Sequence, residues 1–332
     1  MPLPDFVRFN LIGESPTFCR TLAVVPRIAE CDATVLVQGE TGTGKELVAR
    51  AVHYLSSRRQ FPFIPVNCGA IPDALFENEL FGHDRGAYTD AGMPQIGLVA
   101  EAANGTLFLD EVESLSMRAQ VALLRFLQDG TYRRLGGRGD LHANVRIIAA
   151  SNAALDALCD RGVFRRDLLY RLMVMSVTMP ALRERGGDVQ LLAAHFIHRF
   201  SQQYHGGAVT PDPAFGRYLT THTWPGNVRE LENLVHRQFL LAEDGLMQLP
   251  EAIEAVAPTQ IDSVRPASHD FLLGFSAAKT RAIIAFERSF VSWALRENHG
   301  NISRAARTAG KERRSFARLM KKYGFTRTEF AR

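Results

Sequence analysis

Gly39-Glu40-Thr41-Gly42-Thr43-Gly44-Lys45-Glu46 decides how the rest of this chain is read. It follows a short apolar run, Thr34-Val35-Leu36-Val37, and precedes Leu47, Val48, Ala51, Val52 and Leu55, which share one face at helical spacing. The pattern predicts a strand, a glycine-rich turn and a helix. Small residues in such a turn let backbone N–H groups wrap phosphates. The helix N-terminus adds partial positive charge, and Lys45 reaches the terminal phosphates. The general motif ends in Ser or Thr, whose hydroxyl binds magnesium. Here that position is Glu46, so a metal must lean on another carboxylate.

Working outward, Gly105-Thr106-Leu107-Phe108-Leu109-Asp110-Glu111 reads as a buried strand ending in two acids. In a parallel sheet the C-terminal strand ends face the ligand crevice. That places Asp110 beside the phosphates to organise magnesium, and Glu111 where it polarises an attacking water. In isolation the two acids would also read, with less weight, as solvated residues capping the next helix. Further strands are expected at 63–68, 145–152 and 174–180, the last stopped by Pro180. Helices are expected at 15–31, 71–81 and 116–128. Alternating strands and helices argue for an α/β fold with a mainly parallel sheet between helices. The stretch 82–92, rich in small residues with Tyr88 at its middle, reads as an insertion in that series.

Beyond Gly187 the expected elements are helices at 188–204, 213–221 and 228–241, with a sharp turn at Trp224-Pro225-Gly226-Asn227. This predicts a small all-helical domain. Residues 250–270, with Pro250, Pro258 and Pro266 and no clear period, read as a linker. A long helix at 277–298 and two short ones, 302–309 and 312–323, around Gly310 give a helix-turn-helix pattern. The last helix carries Arg313, Arg314, Ser315, Arg318, Lys321 and Lys322, a set suited to base edges and phosphates of double-stranded DNA. The expected domains are 1–186, 187–249, the linker 250–270, and 271–332.

Charge follows the same division. Residues 271–332 hold fourteen Lys and Arg against four acids, a net of +10, whereas the other residues hold twenty-five against thirty-one, a net of −6. A mildly acidic body with a strongly basic end suggests a polyanion partner for that end. Of 332 residues 46% are hydrophobic and 22% charged, ordinary for a globular protein with two or three domains. Cys19, Cys31, Cys68 and Cys159 form no paired motif, so they read as small buried residues in a reducing compartment, without zinc or disulfides. No secretory signal pattern and no membrane-length apolar run is found, and a cytoplasmic protein is expected.

The chain resembles the bacterial enhancer-binding proteins, AAA+ activators of RNA polymerase carrying sigma-54. The resemblance rests on Gly39 to Glu46, Glu79-Leu80-Phe81-Gly82-His83, Gly105 to Glu111, the run Trp224-Pro-Gly-Asn-Val-Arg-Glu-Leu-Glu-Asn233 and the Fis-like helix-turn-helix. It covers nearly the whole chain, and an acid at Glu46 is a family trait. It implies an AAA+ P-loop NTPase with a helical lid, binding ATP and Mg2+ and working as a homo-oligomeric ring, a hexamer. Carried over by residue, Lys45 would bind phosphates and Asp110 the metal, and Glu111 would act on water. Asn67 would be the switch residue holding Glu111 back, Ser151-Asn152 the first sensor and Arg229 the second. Arg165 and Arg171 match the arginine fingers given to a neighbouring subunit, although Arg165 beside Asp167 also suits a plain surface ion pair.

Gly86-Ala87-Tyr88-Thr89-Asp90-Ala91 matches the loop that contacts sigma-54, whose usual form is Gly-Ala-Phe-Thr-Gly-Ala. Tyr88 keeps an aromatic tip. Asp90 in place of Gly restricts the backbone and adds charge. Only a few residues precede the ATPase core, so no N-terminal regulatory domain is expected and control would come from elsewhere. The leading expectation is a sigma-54-dependent activator that binds upstream DNA and remodels the sigma-54 RNA polymerase holoenzyme into an open complex. The alternatives are a DNA-binding AAA+ regulator or repressor without sigma-54 coupling, and a non-transcriptional remodeller whose basic end binds another acidic partner.

Overall fold

The computed structural model describes residues 6–87, 93–204, 209–242, 245–249, 287–288, 290–298, 301–311, 313–323 and 325. The chain divides into two compact units, 1–249 and 250–332.

The first unit opens with α1 (Pro16–Ala23) and α2 (Val25–Ala29). One helix over 15–31 was expected. It breaks at Val24 because Pro26 has no N–H to donate to the preceding turn and its ring crowds that turn's carbonyls. Ser15 is the N-cap of α1 and accepts a bond from Phe18 N at 3.4 Å. Next come β1 (Val35–Gln38), α3 (Lys45–Leu55), β2 (Phe63–Asn67) and α4 (Asp73–Phe81). A hairpin stem of β3 (Gly82–His83) and β4 (Gln95–Ile96) flanks the insertion. Then follow α5 (Leu98–Glu101), β5 (Thr106–Asp110) and α6 (Met117–Asp129). The glycine- and arginine-rich loop after α6 is a second hairpin, with stem strands β6 (Thr131–Tyr132) and β7 (Leu141–His142). β8 (Arg146–Ser151), α7 (Leu155–Asp160), α8 (Arg166–Leu172) and β9 (Met175–Thr178) complete the α/β part.

The central sheet runs in the order β2-β5-β8-β1-β9, and every pairing is parallel. Pleating sends alternate residues of β5 to opposite faces. Leu107 and Leu109 join Leu36, Val66, Ile147 and Ala149 in the core shared with α4, α6 and α8. Phe108 joins Val35, Val37, Ile148, Ala150 and Val177 against α1, α2 and α3. Both faces being covered, the strands read as continuous apolar runs in the sequence. The order leaves the ends of β1, β5 and β8 side by side, where the glycine turn, the two acids and Asn152 emerge.

The lid consists of α9 (Asp188–Gln203), α10 (Pro213–Thr221) and α11 (Asn227–Leu240). Phe196, Phe200, Phe215, Trp224, Leu231 and Val235 are buried among them. The lid was expected to be all-helical. It also contains a parallel pair of two-residue strands, β10 (Thr210–Pro211) and β11 (Leu246–Met247). Segments this short carry no periodicity to read.

In the second unit, residues 290–297 are helical, followed by α12 (Ile302–Thr308) and α13 (Arg313–Lys322). Asn301 caps α12 by accepting from Arg304 N at 3.2 Å. Gly310, at φ +58, turns the chain between the two helices. Ala305 and Ala306 pack against Phe316 and Met320, with Val291, Ala294 and Leu295 completing this small core. Half of the expected helix over 277–298, and all of the linker 250–270, lie outside the described residues.

Candidate functional site

A pocket of about 290 Å³ opens at the C-terminal ends of the central strands. Thr41 to Glu46, Asn67, Asp110, Glu111, Asn152 and Arg229 all line it. The fold thus gathers residues from four strand ends and the lid into one cleft. Gly39, Gly42 and Gly44 have φ of +148, +79 and +94. At Gly42 a Cβ would stand 2.3 Å from the Gly226 carbonyl, so only glycine lets the turn pass beneath the lid.

Lys45 is buried, and its Nζ donates to Gly39 O at 2.8 Å, Glu40 O at 3.1 Å and Asn152 Oδ1. Burial lowers its pKa. Asp110 and then Glu113 oppose this most, Arg229 reinforces it, and Glu111 opposes it least. Asp110 has its carboxyl raised by burial, with the Glu111 N–H at 3.0 Å and Lys45 pulling the other way. Glu111 sits in the left-handed region at φ +57, ψ +45, a costly conformation for a residue with a Cβ.

Asn67 lies beside Asp110 in the sheet register. Its Oδ1 accepts from Gly69 N at 2.8 Å and Ala70 N at 3.1 Å, so the side chain is held by its own turn. Glu46 pairs with Arg50 one helical turn on, at 2.7 Å. Thr43 bonds the Glu40 carbonyl at 2.7 Å through its hydroxyl. Among the described residues no three acids, histidines or cysteines cluster as a metal cage. Asp110 with Glu111 suits an ion such as Mg2+ that takes one or two carboxylates and completes its shell with phosphate and water.

Several residues in or beside the pocket carry no motif signal. Glu113 accepts from Asn152 N at 2.9 Å through Oε1, and its buried Oε2 has no hydrogen-bond partner among the described residues. Its place two residues after Glu111 was the available cue. Ile12, Phe18, Arg185 and Leu192 line the far end of the pocket. Arg185 stacks 3.7 Å over the Phe18 ring and donates to Ile12 O and Asp188, whose other bonds go to Glu14 N, Ser15 N and Ser15 Oγ. Asn227, read from the sequence as part of a turn and of the signature run but given no role, is wholly buried at φ +53. It accepts from Leu182 N at 2.7 Å and donates to Glu40 Oε2 at 3.1 Å and Thr41 O at 3.0 Å. Val228 N donates to Gly42 O at 3.0 Å. Arg183 adds a bidentate pair to Glu40, which with Asn227 holds that carboxyl at about 2.

Arg165 and Arg171 do not line this pocket. Arg165 pairs with Asp167 at 2.6 Å, and Arg171 donates to the carbonyls of Leu127 at 2.9 Å and Gln128 at 2.8 Å at the end of α6. Gly86 and Ala87 sit beside the second hairpin, Ala87 against Gly136. Tyr88, Thr89, Asp90 and Ala91 lie outside the described residues. Arg313, Arg314, Ser315, Arg318 and Lys321 are exposed on α13, as is Lys322, which also pairs with Glu287 at 2.9 Å. Of the four cysteines only Cys68 is buried, its thiol pushed up to about 12, mainly by burial; Cys19, Cys31 and Cys159 are half-buried, against expectation.

Residues 11–178 match the family described as the Sigma-54 interaction domain. The chain belongs to that family. Residues 183–266 match the AAA+ ATPase lid domain. Among curated relatives of this sigma-54 interaction domain protein is the nitrogen fixation protein VnfA of Azotobacter vinelandii. It is 39% identical over 97% of this chain and 60% of its own length. The sigma54-dependent transcriptional regulator SfnR of Pseudomonas fluorescens is 47% identical over 71% of this chain and 65% of its own. The chain therefore spans about 60% to 65% of the length of these two relatives. NtrX from Brucella abortus, solved in complex with ATP, superposes with a TM-score of 0.71 at 32% identity, covering 94% of this chain and 69% of that one. The fold is thus that of an AAA+ P-loop NTPase with a helical lid.

Proposed function

We propose that this sigma-54 interaction domain protein is a transcription activator that hydrolyses ATP in a homo-oligomeric ring, a hexamer, and remodels sigma-54 RNA polymerase holoenzyme into an open complex. The observation that carries the reading is the incompleteness of the pocket. Phosphate-binding, acidic and sensor residues converge there, whereas Arg165 and Arg171 stand elsewhere on the same unit.

Lys45, Arg229 and the backbone of the glycine turn hold the phosphates. Asp110 would hold Mg2+, which when bound would neutralise charge building on the phosphate oxygens. Glu111 takes a proton from the water whose oxygen bonds to the terminal phosphorus. The bond to the bridging oxygen breaks, and ADP and phosphate leave. Arg165 and Arg171 of a neighbouring subunit stabilise the charge, an effect of about 10³–10⁵ in rate for related arginine fingers. Asn67 and Asn152 relay the nucleotide state to the loop around Tyr88, which touches sigma-54. Helix α13 reads upstream DNA, and the protein works in the cytoplasm.

The test is transcription in vitro with purified sigma-54 holoenzyme on promoter DNA. Open complexes are expected with ATP and not with a non-hydrolysable analogue. Normal ATP turnover without open complexes would instead favour a DNA-binding regulator uncoupled from sigma-54. Asp90→Gly would then be expected to restore opening.

A further inference from the structure

Strand β8 ends at Ser151, which stands opposite Gln38 of β1. Asn152 is the next residue, one step past the ladder, so its backbone N–H must find an acceptor elsewhere. It finds Glu113 Oε1 at 2.9 Å. Glu113 sits on the short turn Val112–Ser114 that follows Glu111. Val112 and Leu115, on either side of it, are both buried in the core and fix the path of that turn. The Glu113 side chain thus bridges from the loop after β5 to the end of β8, the neighbouring strand. Asn152 is held from its other end too, because its Oδ1 accepts from Lys45 Nζ. Asn152 lines the nucleotide pocket and Glu113 does not. Burial lowers the Lys45 pKa, and Glu113 opposes this second only to Asp110, so a pure charge effect on Lys45 is the competing account. The other carboxylate oxygen, Oε2, is buried with no hydrogen-bond partner among the described residues. A bare buried acceptor costs free energy, so stability alone does not account for an acid at this position.

We propose that Glu113 is a positioning residue that clamps the backbone of Asn152, so that the Asn152 amide is held ready for the terminal phosphate beside Lys45. The proposal rests on the reading of Asn152 as part of the first sensor. Glu113 never touches the nucleotide. It acts by giving the first residue beyond the strand the hydrogen bond that the sheet no longer supplies. Without that bond the end of β8 is free to fray, and a polar group displaced by about 1 Å from its reacting partner can cost up to about 10²-fold in rate. What the clamp supplies is an acceptor oxygen, not a negative charge.

The test compares wild type, Glu113→Gln, Glu113→Met, Asn152→Ala and the double variant Glu113→Met with Asn152→Ala, each in the full chain. Steady-state ATP turnover, equilibrium binding of a fluorescent ATP analogue, thermal unfolding and backbone deuterium exchange over residues 151–154 are measured. Glutamine keeps an acceptor for Asn152 N and loses the charge; methionine keeps the length and loses both. Glu113→Met is expected to lower kcat about tenfold or more. Its affinity for the analogue should hold, and exchange over 151–154 should quicken. Glu113→Gln is expected to keep kcat near the wild-type value and exchange slow. In the Asn152→Ala background Glu113→Met should cost no further turnover, because a residue that acts through another has nothing left to position. Glu113→Ala carries the same expectations should Glu113→Met fold poorly. An unchanged kcat in the folded Glu113→Met protein overturns the clamp. So does a Glu113→Gln protein as slow as Glu113→Met, or a full further loss in the double variant, since the carboxylate would then be acting on Lys45 by its charge. Wild-type turnover in Asn152→Ala overturns the sensor reading instead.

Discussion

Asp110 shows how one residue trades stability for chemistry. Burial raises its carboxyl above the ordinary range in the folded protein. A folded-state pKa above the unfolded value means that the folded form binds more protons between the two. The protein therefore loses stability as pH rises through that window. At neutral pH Asp110→Asn should raise the unfolding midpoint by about 2–4 °C, the shift that ~1 kcal/mol produces in a unit of this size, and should abolish turnover. A lower midpoint would mean that Lys45 more than offsets the burial. At Lys45 the expectation runs the other way. Lys45→Ala should lose nucleotide binding, and wild-type affinity for a fluorescent ATP analogue in that variant would refute its phosphate role. Lys45, Asp110 and Glu111 were legible in the sequence because each stands in a short contiguous motif whose chemistry depends on spacing alone. Asn227 was not, because its partners Glu40, Thr41 and Leu182 are distant in the chain and only the folded lid brings them together.

At the scale of elements, α6 joins two parts of the machinery. Gln120 on α6 is wholly buried. Its amide N–H groups donate to Leu115 O at 2.8 Å and Val163 O at 3.0 Å, and its Oε1 accepts from Arg165 N at 2.8 Å. One side chain thus ties the turn after Glu111 to the residue just before α8. Gln120→Leu keeps the volume and leaves backbone groups unpaired, a loss of about 2 kcal/mol or more. It should cut ring turnover while nucleotide affinity holds. Undiminished turnover per folded subunit would dismiss this tie as a route to Arg165. Nothing in the helical pattern of 116–128 set Gln120 apart, because a buried glutamine declares its role only through tertiary partners. The central strands were readable as long apolar runs, whereas the hairpin stems of two residues each had no period to detect. The break at Pro26 was visible in the residue itself and was masked by the strong amphipathic pattern around it.

At the scale of the whole molecule, the proposed arginine fingers would make activity a property of neighbours. Arg165→Ala keeps the pocket and removes the finger; Lys45→Ala keeps the finger and removes the pocket. Each alone should be inactive. Mixed in equal amounts, they should recover about a quarter of wild-type turnover, the share of interfaces pairing an intact pocket with an intact finger in a head-to-tail ring. An inactive mixture of variants that still assemble would place the fingers in their own subunit's site. Among the described residues, hydrogen bonds join lid and core at two separate places. One is the junction of Glu40, Thr41 and Gly42 with Arg183, Asn227 and Val228, and the other is the buried Asp188 holding Glu14 and Ser15. A body pinned at two points keeps one freedom, rotation about the line between the pins. The lid is therefore hung like a door: while both pins hold, it has a single swing.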